Sequence, residues 1–153
     1  MIITTSYSPE SFLDLNYTIN NQKFSPNKFL IILIGITVFN ILLQYFHNKQ
    51  PIYIALTPLI VLFVIIILLK RRIKKNIMKI YYETPRLSEA VNFEITDSHL
   101  IISGSSFKSD LKWNEIHKIT YTKNWILIWQ NSIVANGLSM SDSTPEFIEE
   151  LSK

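Results

Sequence analysis

Residues 52–79 read IYIALTPLIVLFVIIILLKRRIKKNIMK. Eighteen uncharged residues, 52–69, run without a spacer into Lys70, Arg71, Arg72, Lys74, Lys75 and Lys79, six of the chain's fifteen Lys and Arg. About eighteen apolar residues is the length at which a helix begins to span a bilayer. Residues 59–69 show no polar face, unlike a surface helix of a globular domain. Upstream, FLIILIGITVFNILLQYF (29–46) is a second uncharged run, and HNKQP (47–51) separates the two. The pattern predicts a transmembrane hairpin over 26–69, with spans 29–46 and 52–69. Lys23, Lys28 and the basic cluster outweigh Lys49 of the connection, which orients both chain ends inward. The expected location is the bacterial inner membrane, multi-pass, N-in/C-in, with the C-terminal domain cytoplasmic.

Composition agrees with that reading. Charged residues are 18% of the 153, and mean hydropathy is +0.19. There is no cysteine, which excludes disulfides, thiolate chemistry and Cys-based metal sites. A nucleic-acid binder would spread its basic residues over a folded face, whereas these crowd one spot; no nucleic-acid partner is expected. MIITTSYSPE lacks the basic start and apolar core of a signal peptide, so the apolar runs are expected to be retained.

Polar residues inside the runs invite a packing argument. Thr37, Asn40 and Gln44 share one face of the first helix, and Pro58 interrupts the second, leaving the Ile54 carbonyl without its helical donor. Asn40 or Gln44 is expected to satisfy that carbonyl across the hairpin; homo-oligomer contacts are the alternative. Ile73, Ile77, Ile80 and Tyr81 recur at helical spacing among the basic residues, predicting a basic amphipathic stem over 70–83 that meets anionic lipid headgroups.

The remainder is β-rich. Residues 1–25 form an N-terminal segment, with Ser8-Pro9-Glu10 starting a short helix over about 9–15 and Tyr17–Ile19 a candidate strand. From residue 90 the period is two. VNFEIT, HLIIS, FKSDLKW, HKITYT, WILIWQ and IVAN are separated by turn signals, and predict an antiparallel meander within a domain over 84–153. Thr144-Pro145-Glu146 opens a final helix over 145–152. That helix is expected to cover one face or one open end of the sheet, which would explain why the 125–130 strand is apolar on both sides.

The order of segments resembles the YcxB-like family of small bacterial membrane proteins. Ile95-Thr96-Asp97-Ser98-His99-Leu100 resembles that family's strand, acidic turn and strand. Leu111-Lys112-Trp113-Asn114-Glu115-Ile116 resembles its Trp followed by an aliphatic three residues on. VANGLSM (134–140) departs from it, lacking the family's proline and basic pair. The resemblance implies a pleckstrin-homology-like (PH-like) β-domain with a C-terminal helix, and no established activity. The fold class expected is therefore an α+β membrane protein: a two-helix transmembrane hairpin, then a small antiparallel PH-like domain.

Motifs for chemistry are missing. His47, His99 and His117 are scattered, and three glycines cannot build a phosphate-binding loop. No enzyme activity, cofactor or metal is expected. Trp113, Trp125 and Trp129 suit a core, but Trp125 follows a Lys-Asn turn and is a candidate for partner contact. Lys108 and Lys112 share an outward face, and with Lys118 and Trp125 they form the candidate partner surface. The function expected is a membrane-anchored, non-enzymatic interaction module, regulatory or immunity-type, with membrane lipid and a protein as partners. The alternative is an assembly subunit whose hairpin is the interface, including a homo-oligomer.

Overall fold

The computed structural model describes residues 1–23, 26–48 and 52–152, with backbone alone for 26–30, 44, 47, 48 and 52–56. Two compact units emerge: residues 24–76, and a second built from both 1–23 and 77–153. The N-terminal segment is thus not a separate leader. Ile2–Thr5 forms strand β1, and Pro9–Lys23 forms helix α1. Four consecutive β-branched residues, Ile2-Ile3-Thr4-Thr5, suit a pleated strand. β1 pairs antiparallel with β2 (Val91–Ile95), Ile3 opposite Phe93. Tyr17–Ile19, read above as a candidate strand, is helical within α1, which continues past the expected end at 15.

The helical unit holds α2 (Pro26–Asn48) and most of α3 (Ile52–Glu83). Among the described residues no helix is long and apolar enough to cross a membrane. The transmembrane hairpin, the membrane fold class and the multi-pass inner-membrane location are corrected on that finding.

Two side chains of the polar stripe bond within their own helix. Thr37 Oγ1 donates to the Leu33 carbonyl (2.8 Å), and Asn40 Nδ2 donates to the Ile36 carbonyl (2.9 Å). Each bonds to its own helix one turn back, the local alternative open to short polar side chains. The side chain of Gln44, and residues 49–51 of the polar break, lie outside the described residues. α3 continues through Pro58 to Glu83. Of the expected stem stripe, Ile77 and Tyr81 are buried, while Ile73 and Ile80 face solvent.

In the β-containing unit, β1, β2, β3 (His99–Ser103) and β4 (Lys108–Lys112) form one antiparallel sheet in that order. β5 (Lys118–Tyr121), β6 (Trp125–Trp129) and β7 (Ala135–Ser139) form another. Alternation does the sorting. Val91, Phe93 and Ile95, with Leu100 and Ile102, face Ile126, Ile128 and Leu138 across one core, which Phe147 and Leu151 close. Those two residues belong to α4 (Pro145–Leu151), capped by the Thr144 hydroxyl accepting from Phe147 N. Gly104-Ser105-Ser106 is the β3–β4 turn. Ser105 and Ser106 hydrogen bonds hold the Glu89 carboxyl below its ordinary range.

β6 is buried along its whole length, but α4 covers only its inner face. The outer face, Trp125, Leu127 and Trp129, packs on Leu15 of α1. The C-terminal helix thus covers one face, as expected, and the cover of the other comes from the opposite end of the chain. Tyr7 ties this layer down: its hydroxyl donates to the Gly137 carbonyl, and its own carbonyl accepts from the Tyr81 hydroxyl at 2.6 Å. Burial first, then the Asp142 carboxylate, push the Tyr7 hydroxyl well above its ordinary value of 10. The unfolded chain releases that proton near pH 10 and the folded chain keeps it. Stability is therefore complete below pH 10 and falls as pH rises beyond it, by up to about 1.4 kcal/mol per pH unit. Urea titrations between pH 9 and 11.5 should show that slope, reduced by one proton in Tyr7→Phe.

Candidate binding groove beside strand β5

β5 lies at an edge of its sheet, hydrogen-bonded to β6 alone. The phase of its pairing is set by the hairpin at Lys123-Asn124, where Thr122 N donates to the Trp125 carbonyl at 2.8 Å. By antiparallel alternation, Thr120 and Lys118 also bond towards β6, opposite Leu127 and Trp129. The backbone N–H and C=O groups of Ile119 and Tyr121 therefore point away from the sheet. Among the described residues no backbone partner meets them. At the other end of the strand, His117 and Lys118 together oppose Trp129, a β-bulge that ends regular pairing.

A cavity of about 750 Å³ runs beside this edge. Its apolar lining includes Trp113, Ile116, Ile119 and Leu151, and Asp97, Lys118 and Glu150 supply charge. Trp113 opens a single 3-10 turn, Trp113–Glu115, steadied by Lys112 N donating to Glu115 Oε2 at 3.2 Å. The Trp113 indole N–H donates to the Thr96 carbonyl at 3.1 Å, which anchors the ring to the β2–β3 turn. Tyr121 is 44% exposed, and partial desolvation raises its hydroxyl pKa. The groove thus offers two unpaired backbone rungs and an apolar wall.

The residues singled out from sequence are dispersed. Lys118 reaches the groove and places its ammonium 4.9 Å from the Trp129 ring centroid, a cation–π contact. Lys108 and Lys112 sit at opposite ends of β4 in the other sheet, and Lys112 lines a separate depression with Ser98, His99 and Asn114. Trp125 is not a surface residue: it is 4% exposed, and its indole N–H donates to Asp14 Oδ2 at 2.7 Å. The candidate partner surface is corrected to that extent, because α1, absent from the reasoning about β6, occupies the space outside Trp125. Lys70, Arg71, Arg72, Lys74, Lys75 and Lys79 all project from α3 into solvent, with one ion pair among the described residues, Lys79–Glu83 at 3.6 Å.

Sequence reasoning missed Ile116, Ile119 and Tyr121 as groove residues. Only the bulge at His117 and the end position of β5 give them that role. No group of three or more His, Asp or Glu suited to a metal occurs among the described residues. No protein-family model, curated protein or solved structure matches this chain, so the YcxB-like and PH-like likeness is not carried further.

Proposed function

We propose that this protein is a non-enzymatic interaction module that captures an extended segment of a partner protein along β5. The observation carrying this reading is the unpaired outer edge at Ile119 and Tyr121 beside an apolar-walled groove. An added strand would pair with those backbone groups and place alternate side chains against Trp113, Ile116 and Leu151, the mode called β-augmentation. The edge strand β4 is blunted in the usual way: Lys108, Asp110 and Lys112 project from it. On β5 the bulge and Lys118 guard one end only.

Tyr121→Pro tests the reading. Proline removes an N–H that faces outward and leaves the β5–β6 bonds in place, as tolerated on edge strands. Peptides selected from a random display library on the full-length chain should lose at least tenfold in affinity for this variant, about 1.4 kcal/mol. Amide exchange at Ile119 and Tyr121 should slow when such a peptide binds. Selected peptides that bind Tyr121→Pro unchanged would refute the groove.

A second reading rests on a different observation. Ile31, Phe39 and Phe46 of α2, and Ile60 and Phe63 of α3, are 61–75% exposed. Exposed apolar surface on this scale marks association, and it supports an assembly subunit whose α2 and α3 form the interface. Under that reading Phe39→Ser with Phe63→Ser abolishes association, measured by sedimentation of the full chain, and Tyr121→Pro leaves it intact.

A further inference from the structure

A second cavity, of about 310 Å³, lies on the other side of the β-containing unit, between the inner face of β2 and β3 and the strand β7. Most of its lining is apolar, with Phe12, Leu87, Val91 and Phe107 among it, and Tyr7, Arg86 and Asn136 are its polar members. Asn136 is the anomaly. It alternates with Gly137 and so shares the inward face with Leu138, and its cross-strand neighbour Ile128 is completely buried. Its side-chain Nδ2 is buried and has no hydrogen-bond acceptor. A buried donor without an acceptor is uncommon in a folded protein and calls for an explanation. Arg86 lines the same cavity from the exposed 3-10 turn Pro85–Ser88, and makes no ion pair among the described residues. No acidic side chain lines the space.

We propose that this cavity binds a medium-chain alkyl carboxylate, its hydrocarbon tail against Phe12, Leu87 and Phe107 and its carboxylate drawn by the Asn136 amide and the Arg86 guanidinium. Size and chemistry select this ligand together. A dry apolar cavity of about 150 Å³ holds benzene, so about twice that volume suits a chain of roughly eight carbons. An unpaired N–H and a free guanidinium both call for oxygen acceptors, and guanidinium–carboxylate pairing is the stronger form of that contact. An alkylammonium of equal length would meet two donors and a like charge.

The test is titration of the 15N-labelled full-length chain with sodium octanoate, with octylammonium chloride in parallel. The Asn136 side-chain amide pair should shift saturably with octanoate, and at least tenfold more weakly with octylammonium. Asn136→Leu should weaken octanoate at least tenfold, and Arg86→Gln several-fold. Equal response to both amphiphiles, or no saturable shift at Asn136, would overturn the proposal, as would unchanged affinity in Asn136→Leu, the result expected if solvent alone meets the amide. Should Asn136→Leu fail to fold, the wild-type Asn136 shift and the Arg86→Gln affinity decide the matter.

Discussion

Truncating Phe147 to alanine is expected to cost about 3–5 kcal/mol of stability, the range for a fully buried aromatic. Phe147 is completely buried, and with Leu151 one turn on it is how α4 meets the core. A seven-residue helix has almost no stability of its own. Its persistence rests on those two anchors and the Thr144 cap. Losing Phe147 should therefore free the helix as well as leave a cavity, and Leu151 would withdraw from the groove beside β5. Denaturant unfolding followed by tryptophan fluorescence measures the first effect, and weaker peptide capture at β5 the second. Glu146→Ala, at an exposed position on the same helix, is the control and should move stability by less than about 0.5 kcal/mol.

The second large effect concerns Leu15 and Gly137. A Cβ added at Gly137 would stand 2.2 Å from Leu15 Cδ1 and 3.1 Å from Leu15 Cγ. The glycine is required here for space, since α1 lays Leu15 directly on the β7 backbone. Leu15→Ala should cost about 2–5 kcal/mol. Gly137→Ala should cost about 1–3 kcal/mol by overpacking. The double variant restores room for the new methyl, so its loss should fall short of the sum by about 1 kcal/mol or more, as expected of residues in contact. Additive losses would show that the two do not share one packing site. A negligible loss for Leu15→Ala would mean that α1 is a loose leader, contrary to the layer seen over Trp125, Leu127 and Trp129.

These variants also mark the border between what the chain announces and what folding decides. The alternation in VNFEI, HLIIS and WILIW is a local property, because successive side chains in a strand must point to opposite faces. It put Val91, Phe93 and Ile95 on one face of β2, the face that the core buries. Ser8-Pro9 and Thr144-Pro145 likewise announced where α1 and α4 begin, since capping depends on near neighbours. The length of the apolar runs was equally plain, yet run length alone misled: among the described residues it does not yield a membrane-crossing helix.

What the tertiary structure alone decided is long-range. Thr5 donates to Asp142, 137 residues away, and the Trp125 indole donates to Asp14, 111 residues away. No periodicity encodes such pairs. For this reason the cover that α1 lays over the outer face of β6 was not foreseen, and partner contact was left open for Trp125 beside its core reading. The groove beside β5 and the cavity holding the Asn136 amide arise in the same way, where strands from separate hairpins leave an edge or a seam unfilled. The sequence by itself located the strands β2 to β6, because the pleat acts over two residues, but it missed β1 and set the last strand two residues early. Which segment covers each face, and where a gap remains, was settled only when residues 1–23 folded back across β2 and β6. That step depends on the fit of distant surfaces, which no local pattern records.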